Sequence, residues 1–379
     1  MKKVIIKIIR KILYVILICI KFPKLKNKEY AKIDNIKNFE KTNKVQHIPN
    51  EDIEKVDLDI IVPVYNSENS LKKCLDALIN QKTNYKYRVI CINDGSTDSS
   101  ESIINEYIKV NKNILLFTEE NKGPAESRNL GIRKSNSTYI SFVDSDDYVE
   151  ENFVQMLLEK AYKENVDIVR CNYVEYSINN EEIIKLGKEL PEKLYEDGLK
   201  EDILKYKGYP WGGVFRSKLW EDIEFPAGYW YEDMVVRMIA FRKAKRFLYI
   251  NDKLYCYCIH DNNLSKIVQK SEDLKCLDQF FLTCKLSKYS EEINLPMDEA
   301  LYLSVIYELS VVLWLRTRNI DENIRKQVFL KACDFIENTN YNMTLDKNEK
   351  LAESILKRRD YVSWKLYAIY RMLEVKYGV

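Results

Sequence analysis

Asp144-Ser145-Asp146-Asp147 follows the apolar run Tyr139-Ile140-Ser141-Phe142-Val143 and gathers carboxylates where a buried strand reaches the surface. Paired acids offer hard oxygen ligands to Mg²⁺ or Mn²⁺, and such an ion is typically shared with substrate phosphates. The same residues also suit a solvated turn in which Asp147 caps the next helix, because Asp-x-Asp is short and common. A second acid, Asp94, stands in Asn93-Asp94-Gly95-Ser96-Thr97-Asp98, a glycine turn with capping residues after the run Arg88 to Ile92. A third pair, Glu232-Asp233, precedes Met234 to Ile239, a helical pattern that puts both acids in its first turn, facing the positive end of the dipole. An ordinary acidic helix start looks the same in sequence.

Such residues need a scaffold that brings strand ends together. The run Tyr139 to Val143 is too short for a helix and rich in β-branched and aromatic residues, so it reads as a strand of an α/β sheet, whose carboxyl edge is where ligands bind. Arg88 to Ile92 is another buried strand. A third, Leu58 to Val62, ends in Pro63-Val64-Tyr65-Asn66, with Ser67 set to cap a helix carrying Leu71, Leu75 and Leu78. After a strand at Ile114 to Phe117, Asn121 to Gly131 places Pro124 in a first helical turn and Arg128 one turn further, within reach of a diphosphate. Three strand ends thus converge on one crevice.

Pro-Val-Tyr-Asn at Pro63, Asp-Gly-Ser-x-Asp at Asp94, Asn-x-Gly-x-Ala-x-x-Arg-Asn-x-Gly at Asn121 and Asp-Ser-Asp-Asp at Asp144 resemble, in order, the landmarks of the family 2 inverting nucleotide-sugar glycosyltransferases of bacterial surface-glycan synthesis. The resemblance spans roughly residues 56 to 265 and implies the GT-A fold, a Rossmann-like mixed α/β sheet flanked by helices. It implies that Tyr65 stacks on a nucleobase and that Asp94 accepts from a uracil imide, which together suggest UDP. It further implies that Pro63, Glu68, Arg128, Asp144 and Ser145 help bind the nucleotide sugar, and that Asp146, with Asp144, ligates a divalent metal (Mn²⁺ or Mg²⁺). One departure is visible: the family commonly has two acids before the glycine, and here the first is Asn93.

Inverting transfer needs a general base for the acceptor hydroxyl. By the same resemblance Asp233 is that base and Glu232 a positioning or acceptor-binding group. Trp211-Gly212-Gly213 lies where the family has its acceptor wall; a ring suits a sugar face and adjacent glycines admit a ligand, although core packing plus a turn uses the same residues. Some members use a histidine near His260 as a further metal ligand, and Asn262 and Ser265 beside it are candidates for diphosphate contacts.

Composition agrees with a globular enzyme: 46% of the 379 residues are hydrophobic, and 60 basic against 58 acidic residues give no electrostatic case for nucleic acid. Nine scattered cysteines lack the paired spacings of zinc ribbons or disulfide scaffolds and read as reduced core residues. No G-x-G-x-x-G follows the first strand, which excludes a dinucleotide oxidoreductase. No Gln/Arg-x-x-Arg-Trp motif and no set of spanning helices supports a processive synthase. The rival of another class is a catalytically silent glycan-binding or scaffolding protein on the same fold, against which Asp94, Asp144, Asp146 and Asp233 stand together.

Four regions are expected: residues 1–20, an amphipathic membrane-associating helix; 21–55, a tether; 56–268, the glycosyltransferase domain; and 269–379, a helical domain. Val4 to Ile20 carries Lys7, Arg10 and Lys11, each of which costs roughly 2.5–3.5 kcal/mol near the centre of a spanning helix, so a span is disfavoured. Lys3, Lys7, Arg10, Lys11 and Tyr14 follow one helical face, which suits an anionic cytoplasmic leaflet; packing on the protein's own core is the alternative. This implies a cytoplasmic protein, peripheral on the inner face of the membrane, whose partners are a UDP-sugar and a glycan or lipid-linked saccharide. Trp364, Tyr367 and Tyr370 with Lys365, Arg371 and Lys376 suit a membrane interface or a partner subunit, a second copy included, as well as ordinary packing.

Overall fold

The computed structural model describes residues 2–25, 53–177, 182–196, 198–199, 202–260, 263, 273–339, 341 and 345–377. The chain divides into two compact units, one of residues 43–228 and 232–263, the other of residues 1–42, 229–231 and 264–379. Most of the expected tether at 21–55 lies outside the described residues.

The first unit is the expected mixed sheet flanked by helices. Its strands are β1 (Val56–Val64), β2 (Tyr87–Asp94), β3 (Ile114–Glu119), β4 (Ser137–Phe142), β5 (Tyr148–Val149), β6 (Ile168–Ser177), β7 (Glu182–Leu186), β8 (Lys193–Tyr195), β9 (Gly213–Arg216) and β10 (Phe247–Ile259), in the spatial order 3-2-1-4-9-6-10-5. β7 pairs with β6 and β8 with β10. β3, β2, β1 and β4 run parallel, so the chain reverses its order between β1 and β4, the place where such sheets open a ligand crevice. Ile61 pairs with Phe142 and Val64 with Asn93, which aligns the carboxyl ends of β1, β2 and β4 on one edge.

With α1 as Lys2–Cys19, the helices of this unit are α2 (Leu71–Ile79), α3 (Ser100–Val110), α4 (Pro124–Lys134) and α5 (Phe153–Lys163). Alternation along β1 decides their sides: Leu58, Ile60, Val62 and Val64 pack with Leu71, Leu75 and Leu78 of α2 and with α5, while Ile61 faces α4. An acid in the middle of β1 is explained by its donors. Asp59 is fully buried, and its oxygens accept from Nε and Nη2 of Arg88, Oγ of Ser135 and the Asn136 amide at 2.8–3.0 Å. Removing Arg88 would leave a buried charge short of its partner, a loss of about 3–5 kcal/mol.

The second unit is helical: α6 (Asp278–Glu292), α7 (Glu299–Thr317, with a π-turn at Glu308–Val312), α8 (Glu322–Asn338), α9 (Lys347–Lys357) and α10 (Tyr361–Tyr377). Asp298, Asp321 and Asp346 cap α7, α8 and α9 by accepting from first-turn amides. α7 is long and apolar enough to cross a bilayer, but it is two-thirds buried, as the core helix of this unit is. Two expectations change here. Trp364 and Tyr367 of α10 are core residues, with Trp364 Nε1 donating to the Leu309 carbonyl at 2.9 Å, so these two rings serve ordinary packing. The basic face of α1 is also split: Lys3, Lys7 and Lys11 are exposed, whereas Arg10 and Tyr14 turn inward against Tyr370 and Glu374 of α10. A guanidinium that finds both a carboxylate and a ring is better placed there than in water.

Candidate active site

The rim above β1 and β2 is laced by side chains. The Asn66 amide donates to Oγ of Ser96 and its Oδ1 accepts from the Thr97 amide, Glu68 N donates to Asp98, and Glu68 Oε2 accepts from Ser99 N. This leaves Tyr65 half-exposed at the strand end, its ring available to a stacking partner. Asp94 is nearly buried, and its two oxygens accept from the amides of Lys122 (2.7 Å) and Gly123 (2.9 Å), which holds the start of α4 against the end of β2. Asn93 explains the missing acid: its Oδ1 accepts from the Ser96 amide while its Nδ2 donates to Glu101. A carboxylate there would oppose Glu101. Pro63 lies in β1, partly covered.

Behind β4 the acids are sorted by environment. Asp147 does not cap the following helix; it is buried, accepting from the Tyr255 hydroxyl at 2.6 Å and the Cys258 amide at 2.7 Å. Burial, with Asp146 and Asp144 close by, pushes its carboxyl well up. Tyr255 also accepts from the Asp144 amide at 3.3 Å, so one ring fixes both ends of the loop. Ser67 lies four residues before the start of α2, whose N-cap position is Ser70, instead of capping it; its hydroxyl meets Oγ of Ser145 at 2.7 Å, which engages both serines in holding the loop. Asp146 remains at the surface, with Oδ2 2.9 Å from Nε2 of His260 and 3.5 Å from Nδ2 of Asn263. Asn263 in turn accepts from the His260 amide and donates to the Cys258 carbonyl, and so sets the histidine's position.

Arg128, on the second turn of α4, joins distant segments. Its Nη2 donates to Asp144 Oδ1 at 3.0 Å and its Nη1 to Glu232 Oε1 at 2.8 Å. Burial works against the cation, but the two carboxylates outweigh it and raise its pKa. Burial raises the Asp144 carboxyl, with Arg128 opposing and Asp146 adding to the rise. Asn129 braces the approach to Glu232 by exchanging two hydrogen bonds with the Phe225 backbone, at 2.8 and 2.9 Å. Glu232 and Asp233 lie in the turn just before the helical segment, which opens at Met234 and passes into a π-turn at Val236–Ala240, so the expected ordinary helix start is a short, widened one. Asp233 is partly buried and sits close enough to Tyr209 to raise, after burial, that phenol's pKa.

Trp211 is buried in a stack, 4.5 Å from the rings of Tyr209 and Tyr255 and 5.6 Å from Tyr257. The glycines beside it answer to the backbone. Gly212 has φ +73°, and a Cβ on Gly213 would stand 2.3 Å from the Val169 carbonyl oxygen.

Among the described residues no group of three or more His, Cys, Asp or Glu is arranged as a metal cage. The carboxylate of Asp146 and the imidazole of His260, partly exposed and side by side, nevertheless fit an ion that takes its other ligands from a bound diphosphate. The sequence pointed to Asn262 and Ser265, which lie outside the described residues, and missed Asn263, Asn129 and Tyr255. Only the side-chain spacing on β10 could have signalled Tyr255.

Residues 59–222 match the family model for glycosyl transferase family 2. Over this segment the chain is similar to that family, and its mixed sheet flanked by helices is GT-A-like. It is 34% identical over 222 residues to glycosyltransferase GlyA of Streptococcus pneumoniae, covering 55% of this chain and 32% of that protein. It is 32% identical over 226 residues to the uncharacterized glycosyltransferase EpsJ of Bacillus subtilis, covering 56% and 64%. The chain thus spans between about a third and two thirds of the length of these curated relatives. In fold it is similar to residues 1–349 of S. aureus TarS, solved in complex with UDP-GlcNAc, with a TM-score of 0.61 at 19% identity, covering 85% of this chain and 92% of that one.

Proposed function

We propose that the protein is a metal-dependent, inverting glycosyltransferase that moves a sugar from a UDP-sugar to a hydroxyl of a surface polysaccharide or lipid-linked saccharide. It would act in the cytoplasm, peripheral on the inner face of the membrane. One observation carries the reading: a single guanidinium, Arg128, ties Asp144 of the donor motif to Glu232 of the base motif. A scaffold that only bound glycan would not need the two motifs locked together.

In this reading Tyr65 stacks on the uracil, Asp94, held by the amides of Lys122 and Gly123, accepts from the uracil imide with its remaining lone pairs, and Asp144 faces ribose or sugar. A divalent metal held by Asp146 and His260 would offset the negative charge that develops on the leaving diphosphate. Glu232, with Oε1 engaged by Arg128, positions the acceptor side, and Asp233 takes the proton. The acceptor oxygen attacks the anomeric carbon from the face opposite the diphosphate. Its O–H bond breaks towards Asp233 as the carbon–oxygen bond to UDP breaks, and inversion follows from that geometry. The UDP-GlcNAc complex of TarS is consistent with a UDP donor.

The test is calorimetric titration of UDP and a panel of UDP-sugars into the protein, with Mn²⁺ and with EDTA. Metal-dependent binding of one donor, lost in Asp146→Ala, supports the reading and names the sugar. No binding by the folded protein would favour the silent scaffold or another nucleotide carrier. Asp233→Asn should abolish transfer while leaving UDP affinity nearly intact; equal loss of both would move Asp233 to donor binding.

A further inference from the structure

We propose that the outward aliphatic face of α1 is a docking surface for an anionic lipid bilayer, reached with the helix lying in the membrane plane while its opposite face stays packed on α10. This deepens the peripheral placement proposed above and shares nothing with the transfer chemistry.

α1 is apolar on two opposite sides. Ile6, Arg10, Leu13 and Leu17 recur at spacings of four, three and four and face inward; Ile6 and Leu17 are buried, and Arg10 pairs with Glu374 at 3.1 Å. The Leu25 amide, six residues beyond the helix, donates to the Arg359 carbonyl at 2.9 Å and ties its far end to the same unit. Val4, Ile8, Ile12 and Val15 recur at four, four and three, and at 100° per residue their row lies on the far side of the helix. With Ile5 and Ile9 they form a patch whose side chains are 43–62% exposed. Scattered exposed aliphatics need no explanation, but an aligned row on one helix does.

The border of the patch indicates its occupant. Lys3, Lys7 and Lys11 run at i, i+4 and i+8 along one edge, all exposed, and α1 contains no acid. A second copy laid on this face would bring a like row of lysines against them. Anionic headgroups would meet those lysines while acyl chains receive the isoleucines, an arrangement in which a helix sits about 5–10 Å into the headgroup boundary. Because Arg10 and Tyr14 are already engaged by α10, docking would not require the helix to leave the protein.

The experiment is co-sedimentation of the full chain with phosphatidylcholine vesicles, with and without phosphatidylglycerol. The expected result is binding to the anionic vesicles alone. Ile8→Asp/Ile12→Asp should abolish it at an unchanged Tm, since neither side chain supports the fold. Lys3→Gln/Lys7→Gln/Lys11→Gln should weaken it by about fivefold per lysine at low salt. Wild-type protein that stays in the supernatant with both vesicle types overturns the proposal, as does binding unchanged in the aspartate variant. A vesicle-free dimer dissolved by the aspartates, with no lipid binding, would assign the face to a second copy instead. Sedimentation without any transfer activity would leave this surface standing and sink the enzyme reading alone.

Discussion

Arg128 and Glu232 stand 104 residues apart in sequence and meet at 2.8 Å, with the guanidinium's other arm on Asp144. A lysine in its place would keep the charge but not the fork. Arg128→Lys is therefore expected to lower kcat/KM by about 10- to 100-fold with the fold intact, and Arg128→Ala to destabilise by about 3–5 kcal/mol by leaving two carboxylates uncompensated. Steady-state kinetics on the first and urea unfolding on the second check this. A lysine variant with wild-type kinetics would show that the bridge is only structural.

Tyr255→Phe removes one hydroxyl that both donates to Asp147 and accepts from the Asp144 amide. With one donor left on a buried carboxylate, stability should fall by about 1–3 kcal/mol. Loosening of the loop that carries Asp146 should also weaken Mn²⁺-dependent UDP binding by roughly tenfold or more. Thermal unfolding and calorimetry separate the two losses. Lost stability at unchanged affinity would make Tyr255 a packing residue.

If His260 completes the metal's protein ligands, His260→Ala should weaken Mn²⁺ binding, read by the Mn²⁺ resonance signal in the presence of UDP, by about 10- to 100-fold. Asp146→Ala should abolish it. Indifference to the histidine would leave it as a hydrogen-bond partner of Asp146.

Gly213→Ala is expected to cost more than about 3 kcal/mol, because the added methyl meets a backbone carbonyl that cannot move without breaking the pairing of β9 with β6. A stable variant with a raised acceptor KM would instead give this glycine to the ligand.

The thiols supply a pH test. Burial pushes Cys91, Cys171 and Cys276 up to about 12. An unfolded thiol ionises near pH 8.5. Above that pH the unfolded chain releases protons that the fold retains, so the stability is present in full below about pH 8.5 and is lost as pH rises towards 12. Urea midpoints across this range should fall; a flat profile would contradict the burial. Cys19, the exposed cysteine, follows Val15 by four residues on the outward face of α1, so anionic vesicles should slow its reaction with a charged thiol reagent while phosphatidylcholine should not.

The four parallel strands and the three acids at their ends were legible because each strand is a short apolar run closed by turn residues, a pattern that depends on neighbours in sequence. The sequence does not reveal Arg128 lying between Asp144 and Glu232, since that meeting is decided by how α4 packs on β1. Ser67 misled for a related reason: it has the chemistry of a cap, but Ser145, 78 residues away, offers its hydroxyl a partner. In α1 the lysines were correctly outward, yet the hydrophobic content hid two faces with different fates, because periodicity alone does not reveal which apolar side a neighbouring helix will cover.

β10 pairs along nearly its whole length with β6, meets β8 and β5 on its other edge, and delivers Tyr255, Cys258 and then His260 to the loop behind β4. Side chains on a strand alternate, so inserting or deleting a single residue between Tyr255 and His260 would turn the imidazole away from Asp146 while leaving the hydrophobic composition unchanged. The length of this segment, more than its residue identities, therefore sets where the imidazole stands, and related chains of altered length here should be found to have lost the histidine's role as well.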